Sequence, residues 1–171
     1  MQSESAKMTT AHEAGYRVQY ANSKPRAAKV IALDPASAEI VEEISKKQWN
    51  GAAFFTSLAF TAEGSPGAGG GDLKAWLKDL AGRTMDLVAE VEHSDFVVVI
   101  TTTGADARAV SVIADACALF NKSLVGLIVP GHDDSDAATT ESMKYLRPYT
   151  RMLVIASGTD YIEAMLTALR A

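Results

Sequence analysis

The stretch "SDFVVVITTTGADARAVSVIADACALFNKSLVGLIVPG", residues 94–131, sets two apolar runs either side of an alanine-rich one. "DFVVVITT" (95–102) and "SLVGLIVP" (123–130) are continuous rather than alternating. Strands buried on both faces read that way, and a parallel sheet covered by helices on both sides supplies that environment. Between them Ala109, Val110, Ile113, Ala114, Ala116, Cys117 and Phe120 recur at helical spacing over roughly 105–121. Small residues on that helix allow close packing on a sheet. Strand, helix and strand together make one parallel crossover unit.

The same alternation extends outward in both directions. "AKVIALD" (28–34), "AAFFTSLAF" (52–60) and "TRMLVIAS" (150–157) read as further strands. Residues 35–48 place Ile40, Val41 and Ile44 on one helical face, with Asp34 as N-cap and Pro35 in the first helical position. Leu73, Trp76, Leu77, Leu80, Leu87, Val88 and Val91 follow a 3.6-residue period, which predicts a long second helix capped by Asp72 with Gly82 in its interior. A short polar helix is expected over 136–147. A last one is expected over 159–170, with Ile162, Met165, Leu166 and Leu169 inward and Thr159 or Asp160 as cap. Strand then helix, five times over, predicts an α/β protein. The expected architecture is a three-layer α/β/α sandwich with a five-stranded, mainly parallel sheet, Rossmann-like or flavodoxin-like, in a single domain over 28–171. Strand order does not follow from the pattern. Residues 1–27 read as an N-terminal extension, partly mobile, in which the alternating "YRVQY" (16–20) suits an added edge strand.

Composition bounds the partners. The chain has 171 residues, 48% hydrophobic and 22% charged, an ordinary globular mixture with room for a full core. Its formal net charge of −5 disfavours nucleic acid, whose binding neutralises many phosphates with cations. No apolar run is long enough to span a bilayer and no signal-peptide pattern opens the chain, so a membrane role is not expected and the cytoplasm is the expected location. The one cysteine, Cys117, cannot form an internal disulfide and reads as a small buried hydrophobe.

In open α/β sheets ligands bind beyond the carboxyl ends of the strands. That rule selects the loops 34–37, 61–72, 101–106, 130–136 and 157–160. "GSPGAGGGD" (64–72) offers Gly67, Gly69, Gly70 and Gly71 as backbone amide donors to an anion. The spacing meets neither the dinucleotide nor the P-loop pattern, so the same glycines also suit a plain connector. Thr101, Thr102, Thr103 and Gly104 offer hydroxyls and amides for a phosphate or carboxylate; their alternative use is to cap the following helix. His132, beside Asp133 and Asp134, is a candidate catalytic acid or base. Its alternative is a solvated acidic loop, and consecutive residues rarely converge on a metal, so no metal site is expected. No nucleophile motif surrounds Ser57. Asp34 stands where a receiver-type phosphoacceptor stands, but the partner residues of that pattern are missing.

Residues 94–131 resemble the strand–loop–alanine-rich helix–strand segment of tubulin-type GTPases, over about a fifth of the chain. That family places a run of glycines in the loop where this chain has "TTTGAD". No residue role is carried over from the resemblance.

Two functional expectations follow. One is a small-molecule binder or enzyme of unspecified reaction, whose ligand carries phosphate or carboxylate, a nucleotide among the candidates for ligand or cofactor. The other is a non-catalytic scaffold, subunit or self-assembling homo-oligomeric module.

Overall fold

The computed structural model describes residues 24–57 and 76–171. In chain order the elements are β1 (Ala28–Ala32), α1 (Pro35–Ser45), β2 (Ala52–Ser57), β3 (Trp76–Asp79), β4 (Thr84–Asp86), α2 (Leu87–Glu92), β5 (Phe96–Thr102), α3 (Val110–Leu119), β6 (Ser123–Val129), α4 (Asp136–Leu146), β7 (Met152–Ile155) and α5 (Thr159–Ala168). The strands form one sheet in the order β4-β3-β2-β1-β5-β6-β7. The pairs β2–β1, β1–β5, β5–β6 and β6–β7 are parallel, while β2–β3 and β3–β4 are antiparallel.

The five strands expected from sequence are therefore all present, but the sheet has seven. The two additions lie where a helix was expected. Residues 76–79 and 84–86 form a hairpin, and helix begins only at Leu87, capped by Asp86, whose side chain accepts from the Val88 N–H at 3.0 Å. Gly82 is not inside a helix. It sits in the hairpin turn at φ +81°, where Gly82 N–H donates to Asp79 O at 2.9 Å and Asp79 N–H to Arg83 O at 3.0 Å. A tight turn closed by a left-handed glycine is the usual three-residue hairpin connection. Leu77 points into the core at 0% exposure while Leu80 in the turn is 43% exposed, so the apparent helical stripe divides between core and solvent. Asp72, expected as the cap, lies outside the described residues.

Helices cover both faces of the sheet. Val41 and Ile44 of α1 and Ile162, Met165 and Leu166 of α5 pack on Val30, Val98, Ile100, Val125 and Leu127. On the opposite face α2, α3 and α4 bring Leu87, Val91, Val110, Ile113, Cys117 and Leu146 onto Ile31, Val97, Val99 and Ile128. Every residue of β5 is buried, as its unbroken apolar run demands. The change of face has a topological cause. From β1 the chain steps outward to β2, and from β2 it crosses back over β1 to β5; a constant crossover hand places helices of opposite steps on opposite faces.

The first helix starts as its sequence dictates. Asp34 is the N-cap, its side chain accepting from Ser37 N–H, Ser37 answers with its own hydroxyl, and Pro35 occupies the first position. α3 is shorter than expected, starting at Val110 after two tight turns through Ala107 and Arg108. The N-cap of α5 is Gly158 rather than Thr159 or Asp160, and no side chain caps it.

Candidate functional site

The strand order reverses between β1 and β5, and the polypeptide leaves these two neighbours toward opposite faces. Such a switch point is where open α/β sheets form a crevice. Here one carboxylate spans it. Asp34 follows β1, and besides capping α1 it reaches across to the end of β5. Its Oδ2 accepts from Thr102 N–H at 2.9 Å, and its Oδ1 accepts from the Thr102 hydroxyl at 3.0 Å and from Ser37 N–H at 2.9 Å. The β1–β5 pairing is carried one step further by Leu33 N–H donating to Ile100 O at 2.9 Å.

The residue that follows β5 repeats the arrangement toward β6. Thr103 Oγ1 donates to Asp134 Oδ1 at 3.0 Å, and the same carboxylate oxygen accepts from Gly131 N–H at 2.9 Å. Gly131 N–H also lies 2.9 Å from the Thr103 hydroxyl oxygen. The approach needs glycine: a Cβ at Gly131 would stand 2.9 Å from the Thr103 carbonyl oxygen and 3.1 Å from Thr102 Cβ. Gly104 then turns the chain at φ +77° and donates its N–H to the buried Ser142 hydroxyl of α4 at 3.1 Å. Ser135 caps α4, accepting from Ala138 N–H at 3.2 Å. The Ser135 hydroxyl and then its N–H hold the Asp133 carboxyl below the usual carboxylate range.

Of the residues expected at the site, Thr101, Thr102, Thr103, Gly104 and His132 gather at the carboxyl ends of β5 and β6. Gly67, Gly69, Gly70 and Gly71 lie outside the described residues. The stretch containing them links β2 to β3, and Ser57 is the register partner of Leu77. Thr101, Thr102 and Thr103 are all buried. The hydroxyls of Thr102 and Thr103 are engaged by Asp34 and Asp134, while among the described residues that of Thr101 makes only a 3.4 Å contact to Thr102 O. His132 is exposed. Among the described residues neither neighbouring carboxylate bonds its ring: Asp133 takes the Ser135 N–H at 3.0 Å and Asp134 takes Thr103 and Gly131. Also among the described residues, no three His, Cys, Asp or Glu side chains converge as metal ligands. Cys117 lies buried under the sheet, and burial pushes its thiol up to about 12.

Sequence reasoning kept a capping role for Asp34 after setting aside a phosphoacceptor one, named Asp134 only as a neighbour of His132, and did not find Ser142. One signal for Asp134 was present: a threonine ending one strand and a Gly-x-x-Asp after the next suit a cross-loop carboxylate bridge. No family model matches the chain, and no curated protein matches it.

Proposed function

We propose that the chain is a small-ligand-binding domain of the flavodoxin-like branch of Rossmann-like folds, its ligand carrying a carboxylate or phosphate. The parallel strands follow the order β2-β1-β5-β6-β7, which in their own sequence order is 2-1-3-4-5, the flavodoxin-like arrangement. The observation that carries the reading is the donor pair formed by the Thr103 hydroxyl and Gly131 N–H, which already holds a carboxylate oxygen, that of Asp134. A ligand anion would take those donors in exchange for Asp134, with Gly67, Gly69, Gly70 and Gly71 as further donors and His132 as acid or base.

Removing the internal competitor tests it. Asp134→Ala frees both donors, so inorganic phosphate, succinate or a nucleotide should raise the thermal midpoint of this variant more than that of the parent. Ligand at 100 times its dissociation constant adds about 2.7 kcal/mol. A midpoint that moves in neither protein with any of these anions refutes the reading. A second reading, a non-catalytic self-assembling module, draws support from apolar side chains left exposed at the β7 edge.

A further inference from the structure

The two edges of the sheet are treated differently. β4 is three residues, Thr-Met-Asp, next to a turn whose Arg83 and Asp79 form an ion pair at 2.7 Å. Charges on a short edge discourage pairing with another chain. β7 is Met-Leu-Val-Ile, without charge, proline or glycine. Among the described residues, Met152 and Ile155 of this strand are large apolar side chains left exposed, and Tyr149, three residues before it, is another. Met152 is 38% and Ile155 52% exposed.

We infer that β7 pairs antiparallel with β7 of a second copy, about a two-fold axis normal to the sheet, joining two sheets into one. Charge selects this occupant. The strand's amino end carries exposed Arg147 and Arg151, and its carboxyl end leads to exposed Asp160 in the first turn of α5. None of the three takes part in an ion pair among the described residues. Antiparallel apposition lays the basic end of one copy beside the acidic end of the other, and symmetry repeats the contact. Side chains alternate along a strand, so the same two-fold sets the two Met152 side chains on one face of the joined sheet and the two Ile155 side chains on the other. The inference does not rest on ligand binding at the carboxyl ends of β5 and β6.

Sedimentation velocity of the full chain over a concentration series tests this. The parent should pass from one chain mass to two as concentration rises. Ile155→Lys should remain at one chain mass with unchanged far-UV circular dichroism. Arg151→Glu should weaken the dimer by about tenfold or more, since symmetry breaks two rim contacts at once. If Ile155→Lys fails to fold, Arg151→Glu decides. Leu119→Lys, on α3 away from β7 and 67% exposed, should dimerise like the parent. A parent that stays at one chain mass overturns the inference and leaves the edge to residues 1–23 or to another protein. Dimerisation that survives both β7-region substitutions overturns it as well.

Discussion

Asp34 concentrates more hydrogen bonding than any other side chain at the carboxyl edge. One carboxylate caps α1, ties β1 to β5 and orients Thr102. Asp34→Ala removes a cap worth roughly 1 kcal/mol and leaves the buried Thr102 N–H short of its acceptor, a further 1–3 kcal/mol. The sum, about 2–4 kcal/mol, should lower the thermal midpoint by about 2–4 °C per kcal/mol for a chain of this size. Asp34→Asn keeps one acceptor oxygen and should fall between parent and alanine variant; equal midpoints for all three would show that the bridge contributes nothing. Cys117 gives a second residue-scale expectation. Its pKa, raised to about 12 by burial, exceeds the ordinary thiol value of about 8.5. A group whose folded pKa is raised contributes stability that is complete below the unfolded value and is lost as pH climbs toward the folded one. Stability should therefore decline between about pH 8.5 and 12 on this account, and more steeply in the parent than in Cys117→Ala. At pH 8 the thiol should resist a disulfide reagent until the chain is denatured; prompt labelling of the native protein would contradict its burial.

Elements whose sequence and surroundings agree were legible; the hairpin was not. β5 over Phe96–Ile100 and β6 over Leu124–Val129 are apolar on both faces because helices cover both, and a run with no polar interruption has few other places to go. Asp34-Pro35 announced α1 because cap and first position each have a residue preference of their own. Residues 73–91 misled because Leu77, Leu80 and Leu87 match a helical period while serving different purposes: Leu77 fills the core beneath a strand, Leu80 rides a turn and Leu87 opens α2. Asp79 and Gly82, three apart, carried the turn signal. Strand order, set by long-range pairing, left no local trace. Of the site, the strand rule alone placed the threonines, His132, Asp34 and Asp134 at the carboxyl edge, whereas the pairing of Thr102 with Asp34 and of Thr103 with Asp134 was not legible, because the partners are 68 and 31 residues apart in sequence. The hairpin makes its own test. A helix would put Leu77 and Leu80 on one face with similar weight. The observed turn separates them: Leu77→Ala should destabilise by about 2–5 kcal/mol and Leu80→Ala by less than about 0.5 kcal/mol in denaturant melts. Similar losses at both positions would favour the helix.

At the scale of the molecule, the decisive feature is that two apolar layers share one set of strands. Val30, Val98 and Leu127 feed the layer under α1 and α5, and their neighbours Ile31, Val99 and Ile128 feed the layer under α2, α3 and α4. Neither layer can lose its sheet without exposing the other. The half-buried pair between Lys29 Nζ of β1 and Glu90 of α2, at 2.6 Å, adds a polar tie from the middle of the sheet to the helix that follows the hairpin. Coupling of this kind makes the unfolding of a single domain all-or-none. Far-UV dichroism, which follows the helices, and fluorescence of Trp49, whose indole N–H donates to Ile44 O and whose ring meets Phe54 at 5.9 Å, should therefore report one denaturant midpoint. Because the layers share β1, β5 and β6, a cavity under either should shift both probes together: Ile113→Ala, on the face away from Trp49, should lower the fluorescence midpoint as much as the dichroism midpoint. A fluorescence transition that stays in place while the dichroism transition moves would mean that the α1–α5 layer holds without its opposite number, and that the shared strands do not couple the two.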